Sequence, residues 1–408
     1  MKKICLLSAF LVIRMFITAV NTDTLPIGPS VYKFNLMPIG KGEIVETGSR
    51  KKVTIEDIVK KNLRSRVFII GEYHDSFECH TFQRDFIEAL FRQHPRLVVG
   101  FEFFTRQDDE VLERWRTANI SEEELLKKTG WYARNSLNYG YTRPIMETIR
   151  QHKIKVVGLN LPRKIVHQVS SRGFDSLSAQ DKKLFPTIHH PNPDHEFYIQ
   201  SQFGDLAVQL DWWFRTMYQA QKCWDVVMAE SMRRVLAQRE YRGYKGIIIA
   251  GSAHVAYWLG IPFRYQKADR NVKLTTLIPV YLPGQDEEEK DDEEQHPMLE
   301  KVAASLEPAA VFSRGLGDYV FSVPRPQPPH FPSLGFSGKM KEGLYVVSRV
   351  KKESLAEKHG LEKGDTILAV DDTPIESEEQ LRSILSHKNW DDPVALEIKK
   401  KIEIKKQQ

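Results

Sequence analysis

A chain of 408 residues is long for one core, so two or three domains are expected. With 41% hydrophobic and 28% charged residues it can bury a sizeable core, which excludes a disordered and a membrane-embedded class. The net charge of +5 hides an asymmetry: residues 286–294 carry eight acids and one lysine, leaving +12 on a mildly basic remainder with no helix-turn-helix, RNA-binding or zinc-finger pattern, so nucleic acid is not an expected partner.

Met1-Lys2-Lys3 is followed by an apolar run from Ile4 to Val20, broken by Arg14, with Thr18 and Ala19 near its end. A basic start, an apolar middle and a small-residue exit form the pattern of an export signal, placed here at residues 1–22. The expected location is therefore the periplasm or cell envelope. No later stretch approaches the ~20 apolar residues that span a bilayer, so the remainder is expected to be soluble or membrane-peripheral. Beyond the signal only Cys79 and Cys223 remain, too few for a disulfide framework or a four-cysteine zinc site.

Apolar, β-branched runs at Val67–Ile70, Leu97–Val99, Lys155–Leu159, Ile247–Ala250 and Leu274–Val280 read as buried strands. Amphipathic text separates them: Phe82, Phe86, Leu90 and Phe91 fall near helical spacing, and Asp205–Gln238 reads as long helix. Alternation of this kind predicts an α/β domain, a mainly parallel sheet with helices on both faces, over residues 23–325. The polar stretch 283–297 interrupts it as a solvated acidic insertion, Asp318–Val323 returns to strand, and the Pro-rich 326–332 reads as a stiff linker.

In a parallel sheet, ligands bind beyond the carboxyl ends of the strands. This sequence places Gly71-Glu72-Tyr73-His74-Asp75 after one strand, Glu102 after the next, Asn160 and Arg163 after the third, and Gly251-Ser252-Ala253-His254 after the fourth. If these strands are neighbours, Glu72, His74, Glu102 and His254 converge on one cleft. His74, His254 and Glu102 would suit a divalent metal, and Glu72 or Glu102 a general base. The glycines of the two Gly-x-x-His pairs are expected to allow a sharp exit from the strand. His80 and Gln83, one turn apart, together with Asn160 and Arg163, are placed as supports around these groups. Asp225, Met228 and Gln221 read as core or surface, and His189, His190 and His195 as loop.

Residues 333–400 form a second domain. Leu334-Gly335-Phe336, Gly343-Leu344-Tyr345-Val346-Val347 and Ala356…Gly360-Leu361-Glu362-Lys363-Gly364-Asp365 resemble the PDZ pattern. The turn Leu334-Gly335-Phe336 would offer backbone N–H groups to the carboxylate of a C-terminal peptide, and the helix from Glu378 would present Leu381, Ile384 and Leu385 as the other wall. Because that helix starts with Glu378 and not histidine, an apolar preference is expected at the third residue from the peptide's end.

The first domain also has a family likeness. GEYHDSFECHTFQRDFIEAL, FEFFTRQDDEVLERW, GLNLPRKIV, WDVVMAESM and IIIAGSAHVAYWLGIPFR resemble, in order, the motifs of the ChaN-like haem-binding family across roughly 55–325. The resemblance implies an envelope location, a role related to iron uptake, and a pair of haems held between two protomers, hence a homodimer. Tyr139 and Tyr141 stand nearest to its tyrosine haem ligand. A remoter resemblance to Tiki-type metalloproteases and erythromycin esterases implies a metal-dependent hydrolase at His74, Glu102 and His254. The PDZ domain adds a C-terminal peptide of an envelope protein as a partner. Three readings therefore enter the structural comparison: a haem-binding protein with a recruiting domain, a hydrolase, and a non-catalytic scaffold.

Overall fold

The computed structural model describes residues 21–135, 137–186, 190–283, 309–325 and 330–400. Most of the segment read as an export signal, the acidic stretch beyond residue 283, residues 326–329 and His189 lie outside the described residues. The strands are β1 (Leu36–Ile39), β2 (Ile44–Glu46), β3 (Lys51–Lys52), β4 (Val67–Glu72), β5 (Leu97–Thr105), β6 (Lys155–Asn160), β7 (Lys245–Gly251), β8 (Leu274–Tyr281), β9 (Ala310–Ser313) and β10 (Tyr319–Val323), followed by β11 (Phe336–Lys341), β12 (Leu344–Val350), β13 (Thr366–Val370), β14 (Thr373–Pro374) and β15 (Leu396–Lys399). Five helices matter below: α1 (Phe77–Gln93), α2 (Arg163–Arg172), α3 (Pro193–Phe203), α4 (Asp211–Ala237) and α5 (Glu378–Leu385).

The central sheet runs β3-β2-β10-β8-β4-β7-β5-β6. From β10 to β6 every pairing is parallel, and the β2/β3 hairpin adds an antiparallel edge. The strands have buried side chains on both faces, as a sheet covered on both sides requires. Phe68 and Ile70 of β4 pack with Phe86 and Leu90 of α1 in one apolar cluster. Ile69 faces the other way, into a cluster with Met228 and Met232 of α4. The alternation expected along a strand thus sorts one segment between two cores.

Chain order explains where a site can form. After β4 the chain moves outward to β5 and β6, then returns to insert β7 between β4 and β5, and finally places β8 on the far side of β4. The direction of winding reverses at β4, which opens a crevice at its carboxyl end. Among the described residues no helix is long and apolar enough to cross a membrane.

The second domain has its own core of Tyr345, Val347, Leu361, Ile367, Val370 and Leu381. β11 pairs antiparallel with β12, β12 with β13, and β13 also takes β14 and β15. Gly335 has φ +82°, a left-handed conformation that lets the turn before β11 close; a Cβ there would lie 2.2 Å from Ser354.

Candidate functional site

The four strand ends named from sequence are neighbours, in the order β4-β7-β5-β6, and their polar groups meet above the sheet. Glu72, the last residue of β4, is buried to 2% exposure and accepts a hydrogen bond from His74 Nδ1 (2.9 Å) on one oxygen and from Gln83 Nε2 (2.8 Å) on the other. His80, also buried, places Nδ1 3.8 Å from Glu72 and Nε2 3.1 Å from the His74 carbonyl. α1 carries both supports because Ser76 caps its first turn and fixes where the helix begins.

The second half of the site is built from more distant pieces. His254 follows β7 in a short 3-10 turn. Its Nδ1 donates to Asp225 Oδ1 of α4 (2.6 Å), the Gln221 amide lies 2.9 Å from the same nitrogen, and its Nε2 is 3.5 Å from Glu102 Oε1. Glu102 Oε2 accepts the Gly251 N–H (2.8 Å). Asn160 at the end of β6 donates to the Glu102 carbonyl (2.7 Å), across the point where the β5/β6 register shifts. Arg163 lines the cleft and donates to the Arg134 carbonyl (2.5 Å).

The two strand-end glycines act differently from the sequence expectation. Neither Gly71 nor Gly251 is in the left-handed region, so no unusual turn is made there. What Gly251 supplies is space: a Cβ would stand 2.9 Å from the His74 ring. Its absence lets the imidazole of the first half lie over the end of the second half's strand.

The electrostatics are those of an ion network. Burial alone would discharge His254, but Glu102 and Asp225 outweigh it and push the imidazole up to about 10. Burial also works against the Glu102 carboxylate, yet His254, His74 and the Gly251 N–H hold it down to about 2. Desolvation opposes charge on His74 as well, and Glu72 with Glu102 raises it to about 9. The Glu72 carboxyl, despite burial, is kept below its usual range by His80, His74 and Gln83. At neutral pH two imidazolium ions therefore alternate with carboxylates.

This bears on the metal expectation for His74, His254 and Glu102. The three side chains do come together, but among the described residues no group of three or more His, Cys, Asp or Glu side chains is arranged to hold a metal ion. The carboxylates beside both imidazoles favour their protonated forms, so each would shed a proton on ligating any metal, haem iron included.

Several residues were misjudged from sequence. Asp225, read as core or surface, is core, fully buried, and its unforeseen duty is to be the counter-ion of His254. His195, read as loop, lies in α3 behind Asp225, with Nε2 3.4 Å from Asp225 Oδ2; burial lowers it to about 4, so it is neutral and leaves the Asp225 charge to His254. Tyr139 cannot serve as a haem ligand: none of its surface is exposed, and its ring packs edge-on against Trp131 in the core, outside the cleft. Tyr141, two residues on, borders the cleft but is also buried, at 4% exposure against the Phe331 ring. In the PDZ domain Leu334, Gly335, Phe336, Leu381 and Leu385 line the cavity, with Glu378 and Arg382 beside them on α5, and Ile384 and Leu385 both pack against the domain core.

The cleft above these groups has a volume of about 1770 Å³, beyond the ~300–1,000 Å³ common for small-molecule sites. Its walls are aromatic, with Tyr73, Phe103, Tyr132, Tyr141, Trp224 and Tyr281. Phe103 meets the His74 ring edge-on at 4.9 Å.

Comparison with known proteins bears on both domains. Among curated proteins none matches the chain. Among solved structures, one of cofacial heme binding to ChaN of Campylobacter jejuni is 16% identical, covers 68% of this chain and 95% of its own, and superposes with a TM-score of 0.50, which supports the fold. An erythromycin esterase, EreC, in its open conformation is 13% identical, covers 70% and 97%, and reaches a TM-score of 0.40. A PDZ family model matches residues 332–407. The model of the haem-binding uptake family of the Tiki superfamily, ChaN, matches residues 58–264, which is half of the chain, and the protein belongs to that family, with a PDZ domain following it.

Proposed function

We propose that the strand-end cleft binds a haem-type ligand, planar, apolar on its faces and anionic at its edge, at the cell envelope in a role related to iron uptake. The PDZ domain recruits a partner through its C-terminal peptide. One observation carries the reading: an aromatic-walled cleft in which the His74 side chain, 45% exposed, is fixed at Nδ1 by a buried carboxylate, leaving Nε2 unbonded among the described residues. Imidazoles that ligate iron are commonly oriented by such a bond on their other nitrogen. His74 is the exposed cleft side chain placed to ligate, Arg163 can meet a propionate, and bound haem would supply its iron chemistry. The envelope location rests on the basic-apolar N-terminal segment.

Hemin titrated into the purified chain should give a saturable Soret change, and sedimentation should show whether haem drives monomers to dimers, as the homodimer expectation requires. A weak response that never saturates sinks the reading.

The chain Asp225–His254–Glu102 favours a second, hydrolytic reading. Magnitudes count against it in the resting form. A proton-transfer group works best near the operating pH, whereas Glu102 is held at about 2 and the imidazoles at about 9 and 10. The aromatic-walled cleft is what favours binding, and ester or peptide turnover abolished by His254→Ala would reverse that order.

A further inference from the structure

The peptide groove and the strand-end cleft are not separate spaces. Leu381, Arg382 and Leu385 of α5, with Gly335 and Phe336, line the same cavity as His74 and His254. The docking of the two domains explains why. Arg143 spans their junction: its guanidinium donates to the Ser386 carbonyl (3.0 Å) and pairs with Glu122 (2.9 Å), which also lies 3.1 Å from His387 Nε2. Arg382 donates to the Tyr132 carbonyl (2.9 Å) and sits 4.6 Å from that ring's centre. On the linker side His330 stacks on Phe77 at 3.8 Å, and Phe331 meets Tyr141 edge-on at 4.8 Å. Gly140 makes room for this, since a Cβ there would lie 2.5 Å from the Phe331 ring. α5 is thus both a wall of the groove and the element that holds the other domain.

From this arrangement we propose that a partner's C-terminal tail in the groove and the ligand of the strand-end cleft share one composite cavity and exclude each other, so that partner binding bars or expels the cleft ligand. The identity of the second ligand rests on the haem-type reading above. Two features set the sign of the coupling. β11 contributes only Phe336 and Ser337, its first two residues, to the cavity wall. A tail added antiparallel to β11 therefore presents its carboxylate end to the cleft. That end is anionic, as propionates are, and both would enter the one cavity whose wall carries the Arg163 guanidinium. By linkage, each ligand weakens the other by one and the same factor.

The test uses the full chain and a pool of fluorescein-labelled hexapeptides with free C-termini, from which the tightest binder by anisotropy is taken. Saturating hemin should weaken that peptide by about tenfold or more, and unlabelled peptide should weaken hemin equally. Arg143→Glu sets like charge against Glu122, loosens the docking of α5, and should bring the factor towards one while each ligand alone binds as before. Equal peptide affinity with and without hemin overturns the proposal and leaves the haem reading standing. If hemin never saturates, the haem reading fails, and the shared cavity is judged by the same peptide with benzophenone on its last residue. Crosslinks to Tyr132, Tyr141 or Phe103 support it. Crosslinks confined to residues 333–400, or a pool without a single binder, overturn it.

Discussion

The two histidines of the cleft follow the same plan and end in different situations. Each comes three residues after a glycine at the carboxyl end of a central parallel strand, penultimate in β4 and last in β7, and each donates Nδ1 to a carboxylate. His74 is 45% exposed, while the His254 side chain is 8% exposed and its counter-ion Asp225 is fully buried. Glu72 lies two residues from its histidine; Asp225 comes from a helix 29 residues earlier in the chain. The difference separates a ligand-facing group from a framework group. The exposed imidazole keeps its Nε2 open to the cleft, whereas the buried one, held between Asp225 and Glu102, ties α4 to the strand ends.

That contrast can be broken first at Asp225. Asp225→Ala leaves a buried imidazolium without its fully buried hydrogen-bond partner, a change that typically costs about 3–5 kcal/mol. Thermal unfolding should show a fall in Tm on the order of 10 °C for a domain of this size. A loss under about 1 kcal/mol would mean that the buried pair is not framework at all.

The pH dependence of stability sharpens the same point. His254 moves from 6.5 to about 10 on folding, so its contribution is complete below pH 6.5 and fades as pH climbs through about 10. Glu102 moves the other way, from 4.5 to about 2; its contribution is complete above 4.5 and is lost as pH falls through about 2. Urea midpoints should therefore be highest near pH 4.5–6.5 as far as this network is concerned. The alkaline decline should be shallower in His254→Gln, and an unchanged slope would assign it elsewhere.

The smallest effect is expected at Tyr139. Its hydroxyl is buried with no hydrogen-bond partner among the described residues, so Tyr139→Phe should change stability by no more than about 0.5 kcal/mol and leave a hemin spectrum as it was. A lost or shifted Soret band in that variant would restore it as a ligand.

Much of the frame was legible because its signals are local. β-branched runs ending in Gly-x-x-His mark strand ends, and the parallel α/β reading then brings Glu72, His74, Glu102 and His254 together. The supports His80 and Gln83 were legible for the same reason, lying one turn apart at the start of α1. Asp225 was missed because nothing local links residue 225 to residue 254. A signal did exist: Gln221 and Asp225 interrupt the buried stripe of Tyr218, Met228 and Met232 on α4, and polar groups in such a stripe need partners. Tyr139 and Tyr141 could not be told apart, since both rings of the short 3-10 turn are buried and only tertiary packing sets Tyr141 at the cleft wall. The edge hairpin β2/β3 and the docking of α5 on the first domain are tertiary facts with no counterpart in composition or spacing.

The claim that the exposed histidine faces the ligand and the buried one holds the frame is tested most directly by hemin titration of His74→Ala, with its unfolding measured alongside. The account predicts Tm within a few degrees of the parent and hemin affinity at least about tenfold weaker or a displaced Soret maximum, in keeping with the loss of a ligating group. An unaltered hemin isotherm and spectrum in a folded His74→Ala protein would contradict it.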